Sequence, residues 1–332
     1  MADLRDRPVF ICGHPKAGTT LLRNLLDFHP QLVVFPEETS FFRSYLRKAH
    51  GLGLDVDPLT QLTVKEIYHY FQPKSDAGLP AEPQTRHFDY ADIPFQQLVD
   101  RFTARIARDG LRHHGDVLSA AVLAFGETAG HPLEQARWWV EKTPYNEQFT
   151  GQILAWWPAA RFIHIVRDPC DNYASYQRKH SSWEAGFFSA NWNRSTTAGM
   201  QNLRRFGPQK YLLLPYEDLV QQPEEKLAQI RAFLEIEDHP VLRQPTKRGL
   251  LWQGNSMFDD QFNAISAAAV GRWQTVLNPD EAALIQLVTR RHLRMLGYRQ
   301  QSPKKLATRL AAAYWRIRPV LYDLVKGQKR DW

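Results

Sequence analysis

A chain of 332 residues, 43% hydrophobic and 23% charged, with 10 Trp, 12 Tyr and 18 Phe, has a globular, aromatic-rich composition and enough length to bury a sizeable core, which excludes the disordered and fibrous classes. Its net charge of +7 is unevenly placed: from Gln301 to Trp332, Lys304, Lys305, Arg309, Arg316, Arg318, Lys326, Lys329 and Arg330 face only Asp323 and Asp331, so the remainder is nearly neutral and gives a general nucleic-acid footprint no support. No apolar run approaches the ~20 residues of a membrane span, and the opening Met1–Arg7 lacks the apolar centre of a signal peptide, so a soluble cytoplasmic protein is expected.

In chain order, the apolar run Arg7–Gly13 predicts a buried parallel strand closed by a tight glycine turn. Cys12 inside it and Cys170 further on are the only cysteines, too few for a disulfide framework or a zinc site, and read as small core residues. Leu21, Leu22, Leu25 and Leu26 predict a helix over Thr19–His29, and Gln31–Phe35 a second strand. Glu37–Lys48 predicts a second helix with carboxylates in its first turn. Helical patterns at Thr60–Phe71, Phe95–Asp109 and Asp116–Glu127, separated by Pro, Gly and Asp clusters, predict an inserted helical cap at about 51–137. Strands at Trp138–Lys142, Arg161–Arg167 and Lys210–Pro215 then alternate with helices at Asn146–Trp157, Glu224–Leu234 and Glu281–Leu296. Such alternation implies the α/β class: one domain over 1–300 with a central parallel sheet and helices on both faces, followed by a tail. Trp138, Trp139, Trp156 and Trp157 read as core aromatics, and His113 and His114 make no metal-ligand spacing, so no metal site is expected.

The segment Gly13, His14, Pro15, Lys16, Ala17, Gly18, Thr19, Thr20 falls between the first strand and its helix, where backbone N–H groups and the helix dipole favour an anion. Its spacing is close to the phosphate-loop pattern G-x-x-x-x-G-K-[ST], but Thr19 stands in the lysine position and Lys16 is the only lysine of the loop. A lysine placed there can contact a 5′-phosphate, whereas the missing one argues against a grip on β- and γ-phosphates and against ordinary ATP hydrolysis. The plain structural alternative is a glycine turn bearing a surface lysine.

Pro15, Lys16, Ala17, Gly18, Thr19 and Thr20 after a strand resemble the 5′-phosphosulfate loop of the sulfotransferases that use 3′-phosphoadenosine 5′-phosphosulfate (PAPS). A second signature of that family, an arginine at a strand end with a serine eight residues on, is similar to Arg167 and Ser175. The family implies a P-loop-like three-layer fold, with Arg167 and Ser175 holding the 3′-phosphate. Alone, an arginine before Asp-Pro is more often a loop ion pair. Pro36–Phe42 resembles the E-x-x-F-F element of the heparan-type and related bacterial branch, whose glutamate is the catalytic base, and the register with Phe41 and Phe42 selects Glu38. Glu141–Pro144 resembles the K-[ST]-x element, with Lys142 as its lysine and Thr143 where cytosolic members carry their catalytic histidine. Tyr216–Asp218 resembles the Y-E-D segment, and Gly254–Ser256 followed by Gly271, Arg272 and Trp273 the late nucleotide loop.

The resemblance implies sulfuryl transfer from PAPS to a hydroxyl or amine of a sugar, lipid-linked or secondary-metabolite acceptor, leaving adenosine 3′,5′-bisphosphate (PAP) and needing no metal. Glu38 would act as base, with Lys16 and Lys142 neutralising developing charge. A P-loop kinase or NTPase, and a non-catalytic nucleotide- or glycan-binding module, stand as rival readings. So do plainer roles for individual residues: Glu37 and Glu38 as first-turn carboxylates on a helix dipole, and Lys142 as a solvated lysine. In the tail, Leu306, Leu310, Ala313 and Ile317 recur at three- and four-residue intervals, and Pro319 should kink or end that helix. The apolar stripe either packs on the domain or lies on an anionic membrane, which would place the protein at the periphery of the inner membrane.

Overall fold

The computed structural model describes residues 3–73, 90–178, 184–252, 254, 258, 264–298 and 306–326, with side chains in the last segment described over 307–317. Its centre is a five-stranded parallel sheet, ordered β2-β3-β1-β4-β5. The strands are β1 (Pro8–Gly13), β2 (Leu32–Val34), β3 (Trp138–Lys142), β4 (Arg161–Val166) and β5 (Tyr211–Pro215). β1, β2 and β3 are buried throughout, as expected of strands covered on both faces. β2 pairs Val33 with Trp139, and β4 pairs Ile163 with Leu212.

Chain contacts divide the molecule into two compact units. The first comprises Met1–Val9, Phe28–Thr143 and Gly151–Ala160. It contains α2 (Leu46–Ala49), α3 (Val56–Glu66), α4 (Phe95–Asp109), α5 (Gly115–Thr128) and α6 (Thr150–Trp156). The region expected to be a helical cap supplies α3, α4 and α5, with α4 packed along α5. Trp138, Trp139 and Trp157 are core residues; Trp156 is half-buried and stacks on His113 with ring centroids 5.1 Å apart.

The helix expected over Glu37–Lys48 begins later. Ser40 adopts a left-handed conformation, a π-helical turn covers Phe41–Tyr45, and α2 follows. Glu37 and Glu38 therefore precede the helix, which rules out their reading as first-turn dipole partners.

The second unit comprises Phe10–Asp27, Pro144–Thr150 and Arg161–Trp332. Along the chain it holds α1 (Thr19–Leu26), α7 (Pro169–Gln177), α8 (Ala185–Phe206), α9 (Tyr216–Gln221), α10 (Pro223–Leu234), α11 (Trp273–Val276), α12 (Pro279–Met295) and α13 (Leu306–Lys326). A short antiparallel pair, β6 (Thr246–Lys247) with β7 (Leu250–Leu251), completes it. Cys170, Tyr173, Phe188, Trp192 and Ile285 form its core behind β4, and Cys12 and Cys170 are both buried and not joined in a disulfide.

α13 departs from the tail expectation in two ways. The helix does not end at Pro319 but runs to Lys326, and the face it packs against α8 and α12 is not the stripe picked out by spacing. Ala312 is buried, and the Trp315 indole fills the space a side chain at Gly186 would need. Leu310, Ala313 and Ile317 of the expected stripe are exposed. The side chains of Leu306 and Arg318 to Lys326 lie outside the described residues, as do Lys304, Lys305, Lys329, Arg330, Asn255 and Ser256 altogether.

Candidate active site

The second unit carries the elements expected to bind an anion. β1 delivers the chain into a loop in which Gly13 has φ 128°, Lys16 φ 65° and Gly18 φ 107°. Gly18 is the residue before α1 and supplies no side-chain cap, so the first-turn N–H groups of that helix point into the loop as they do at phosphate sites. Ala17 and Thr19 are buried beneath the loop, while Pro15, Lys16 and Thr20 are half-buried. His14 belongs to the core: burial lowers its pKa to about 3, and its ring lies edge-on to Phe188 at 4.8 Å.

Arg167, at the end of β4, ties the loop to the rest of this site. Its Nη1 donates to the Lys16 carbonyl at 3.2 Å and to Ser175 Oγ at 3.3 Å, and its Nη2 donates to the Ala269 carbonyl at 3.0 Å. The guanidinium carbon sits 4.6 Å from the centre of the Tyr216 ring, and Arg167 Nε is buried with no hydrogen-bond partner among the described residues. Pro169 occupies the first turn of α7, and Asp168 caps it by accepting from the N–H groups of Cys170 and Asp171. This start sets Ser175 two turns along the helix and places Asn172, whose Nδ2 donates to the Pro15 carbonyl at 2.8 Å, against the loop.

Sequence reasoning missed Asp171 and Asn172. Asp171 is buried and accepts from the N–H of Gly271 at 2.6 Å and of Trp273 at 2.9 Å, which docks the late segment beside Arg167. The four-residue spacing of Asp171 and Ser175 puts both on one face of α7, just after the strand-end Arg167, a signal legible beforehand. Arg272 lies over the Phe258 ring at 4.7 Å, and Trp273 packs on the core around Cys170. Glu217, next to Tyr216, accepts from the Asp168 N–H and the Tyr298 hydroxyl.

Behind Gly13, the structure brings together a group that spacing did not disclose. Cys12, Glu147 and His164 are buried with one potential ligand atom each, all within 4.8 Å of one another. Glu147 accepts from the Gly13 N–H at 3.0 Å and from Ser195 Oγ at 2.5 Å, while His164 Nδ1 and the Tyr211 hydroxyl share a hydrogen bond of 2.8 Å. Burial pushes the Glu147 carboxyl up and the His164 imidazole down to about 3. The hydrogen bonds show this group fixing the entry to the loop.

The first unit carries Glu38 and Lys142, the residues expected to serve acid–base chemistry. Lys142, at the end of β3, is buried and forms an ion pair with Glu38, whose side chain is 43% exposed; the solvated-lysine alternative is thereby excluded. Glu37 is engaged elsewhere, accepting from the Tyr90 hydroxyl at 2.5 Å. Glu141, buried with its pKa raised by desolvation, accepts from the hydroxyls of Thr39 at 2.8 Å and Thr143 at 2.5 Å. Thr143 Oγ1 in turn accepts from the Ser40 N–H, so the Glu38 segment is fastened to the strand that carries Lys142.

The family model described as "Sulfotransferase family" matches residues 8–240. Similar proteins include an uncharacterized protein of Aquifex aeolicus, 24% identical over 254 residues, covering 73% of this chain and 27% of that protein. A protein-tyrosine sulfotransferase of Drosophila melanogaster is 22% identical over 239 residues, covering 70% of this chain and 39% of its own length. The chain thus matches well under two thirds of the length of either relative. Among solved structures, the sulfotransferase domain of the Synechococcus PCC 7002 olefin synthase has the same fold, with a TM-score of 0.54 at 20% identity over 91% of this chain and 98% of that one. With its loop, strand-end arginine and paired strand-end lysine all inside the matched span, the chain belongs to the sulfotransferase family.

Proposed function

We propose that the chain transfers a sulfuryl group from PAPS to a hydroxyl or amine acceptor. The supporting observation is Arg167: a charged fork bonded at once to the loop backbone and to Ser175, with a buried Nε left over for a further acceptor, suits a terminal phosphate. When bound, the nucleotide supplies an activated sulfuryl group. The N–H groups opening α1 and Lys16 hold its 5′-phosphate, while Arg167 and Ser175 hold the 3′-phosphate. Tyr216, Gly271, Arg272 and Trp273 complete the cradle.

Glu38 accepts the proton of the attacking acceptor, a role that contributes ~10²–10⁴-fold in enzymes of many kinds. Lys142, paired with Glu38, and Lys16 offset negative charge that develops as the sulfuryl group leaves. The migrating group carries less charge than a phosphoryl group, so two lysines suffice where ATP chemistry uses magnesium. Sugars, lipid-linked molecules and secondary metabolites are the acceptor classes put forward. The name of the Drosophila relative adds a tyrosine phenol to them.

Calorimetry of PAP binding in EDTA tests the donor site. PAP should bind without metal, and Lys16→Ala and Arg167→Ala should each weaken it by about ten- to a hundredfold, the cost of one charged contact to phosphate. Binding that disappears in EDTA and returns with magnesium would instead favour a kinase. Transfer from sulfur-labelled PAPS, run across sugar, lipid-linked, metabolite and tyrosyl-peptide acceptors, separates an enzyme from a binding module.

A further inference from the structure

We infer that the outward face of α13 seats the chain on an anionic lipid surface. The helix is anchored by one side: Ala312 is buried, Trp315 lies against Gly186, and Arg316 donates to the Leu287 carbonyl. That anchoring turns the opposite side outward, where Leu310 is 64% exposed, Tyr314 56% and Ile317 53%, with Ala313 exposed between them. These positions, separated by three and four residues, form one continuous apolar stripe. Packing within a globular unit does not require such a stripe, since large contiguous apolar surface facing water marks an interaction site.

Charge selects the occupant. Arg309 and Arg316 are exposed and stand two helical turns apart along one edge of the stripe, and the last 32 residues carry eight basic side chains against two acidic ones. A second copy docking through the same face would bring two such basic tails together, which like-charge repulsion opposes. An anionic headgroup layer meets the same charges with the opposite sign and admits the tyrosine at its polar boundary. Among the described residues no helix is long and apolar enough to cross a membrane, so α13 lies along the surface with its stripe turned down. This inference is independent of the chemistry proposed for the site.

The full chain, mixed with vesicles of phosphatidylcholine alone or of phosphatidylcholine and phosphatidylglycerol in equal parts, is floated through a density step. It should float with the anionic vesicles and stay behind with the neutral ones, and raised salt should reduce recovery severalfold. Leu310→Ser combined with Ile317→Ser should lower partitioning by at least about tenfold, because each apolar side chain contributes roughly that much on burial, while PAP binding and thermal stability match the parent chain. Equal recovery with both vesicle types overturns the inference, and so does unchanged flotation of the double variant. A parent chain that sediments as a dimer which the double variant dissolves would assign the stripe to a second copy and overturn it as well. Flotation that resists salt would do the same.

Discussion

Two adjacent carboxylates, Glu37 and Glu38, have been given different work by their neighbours. Glu37 accepts from the Tyr90 hydroxyl, and Glu38 faces the Lys142 ammonium. Glu38→Gln keeps the shape and removes the proton acceptor, so single-turnover rates should fall by about 10²–10⁴-fold while PAP affinity stays within a few-fold of the parent value. Glu37→Gln should leave the chemical step nearly unchanged. A larger loss at Glu37 would move the base by one residue. The register with Phe41 and Phe42 was visible in the sequence. What was not visible is that Ser40 enters the left-handed region and delays the helix, leaving both glutamates ahead of it. Lys142 was equally ambiguous from sequence, because the hydroxyls of Thr39 and Thr143 that fasten its surroundings to Glu141 lie a hundred residues apart in the chain.

Elements with strong local signals form where their patterns place them: β3 and α4 match their expected bounds, and α10 and α12 differ by one or two residues. α1 stops at Leu26 instead of His29 because Asp27 turns extended and its carboxylate accepts from Thr246 Oγ1 and the Gly249 N–H, a distant partnership that overrides helix continuation. α8, rich in Asn, Ser, Thr and Gly, has little intrinsic preference for helix and is held by packing on α12 and β5. The segment ending in α11 depends on Asp171 in the same way. Asp171→Asn should weaken PAP binding roughly tenfold, since the amide keeps only one of the two oxygens that accept from the Gly271 and Trp273 N–H groups, and amide exchange across 270–274 should speed up. Faster exchange with unchanged affinity would show that this segment does not hold the nucleotide.

Across the molecule, buried titratable groups pull stability in opposite directions with pH. Burial holds His14 and His164 down to about 3 and His292 to about 4. Unfolded histidines titrate near 6.5, so as pH falls below ~6.5 the unfolded chain gains protons that the native state refuses, and stability drops. Asp168 acts in the other sense: burial first, then the charges of Asp171 and Glu217, raise it to about 7. Its contribution is complete below the unfolded value of ~3.9 and is lost as pH rises through ~7. Asp168→Asn keeps an oxygen to cap α7 and removes that titration, leaving the histidines less opposed. Its melting temperature should therefore rise more steeply than that of the parent chain between pH ~4.5 and ~6.5, by roughly 1–3 °C for each ~1–2 kcal/mol unmasked. Superimposable pH profiles would show that Asp168 titrates as it does in the unfolded chain. Composition at this scale revealed the concentration of charge in the tail, but not which face of α13 would be left outside, because Trp315 rather than the leucines makes the contact with α8.

The loop glycine also constrains which substitutions this site can accept. A Cβ at Gly18 would lie 2.4 Å from Cδ2 of Tyr216, the ring over which Arg167 rests, and φ 107° disfavours any other residue there even if that ring were removed. The dependence runs one way. Replacing Tyr216 with a smaller side chain leaves Gly18 unstrained, whereas filling position 18 first forbids the aromatic ring in its present place. Position 18 is thus closed to any side chain for as long as the ring stands, and a substitution that filled it would displace the shelf on which Arg167 rests.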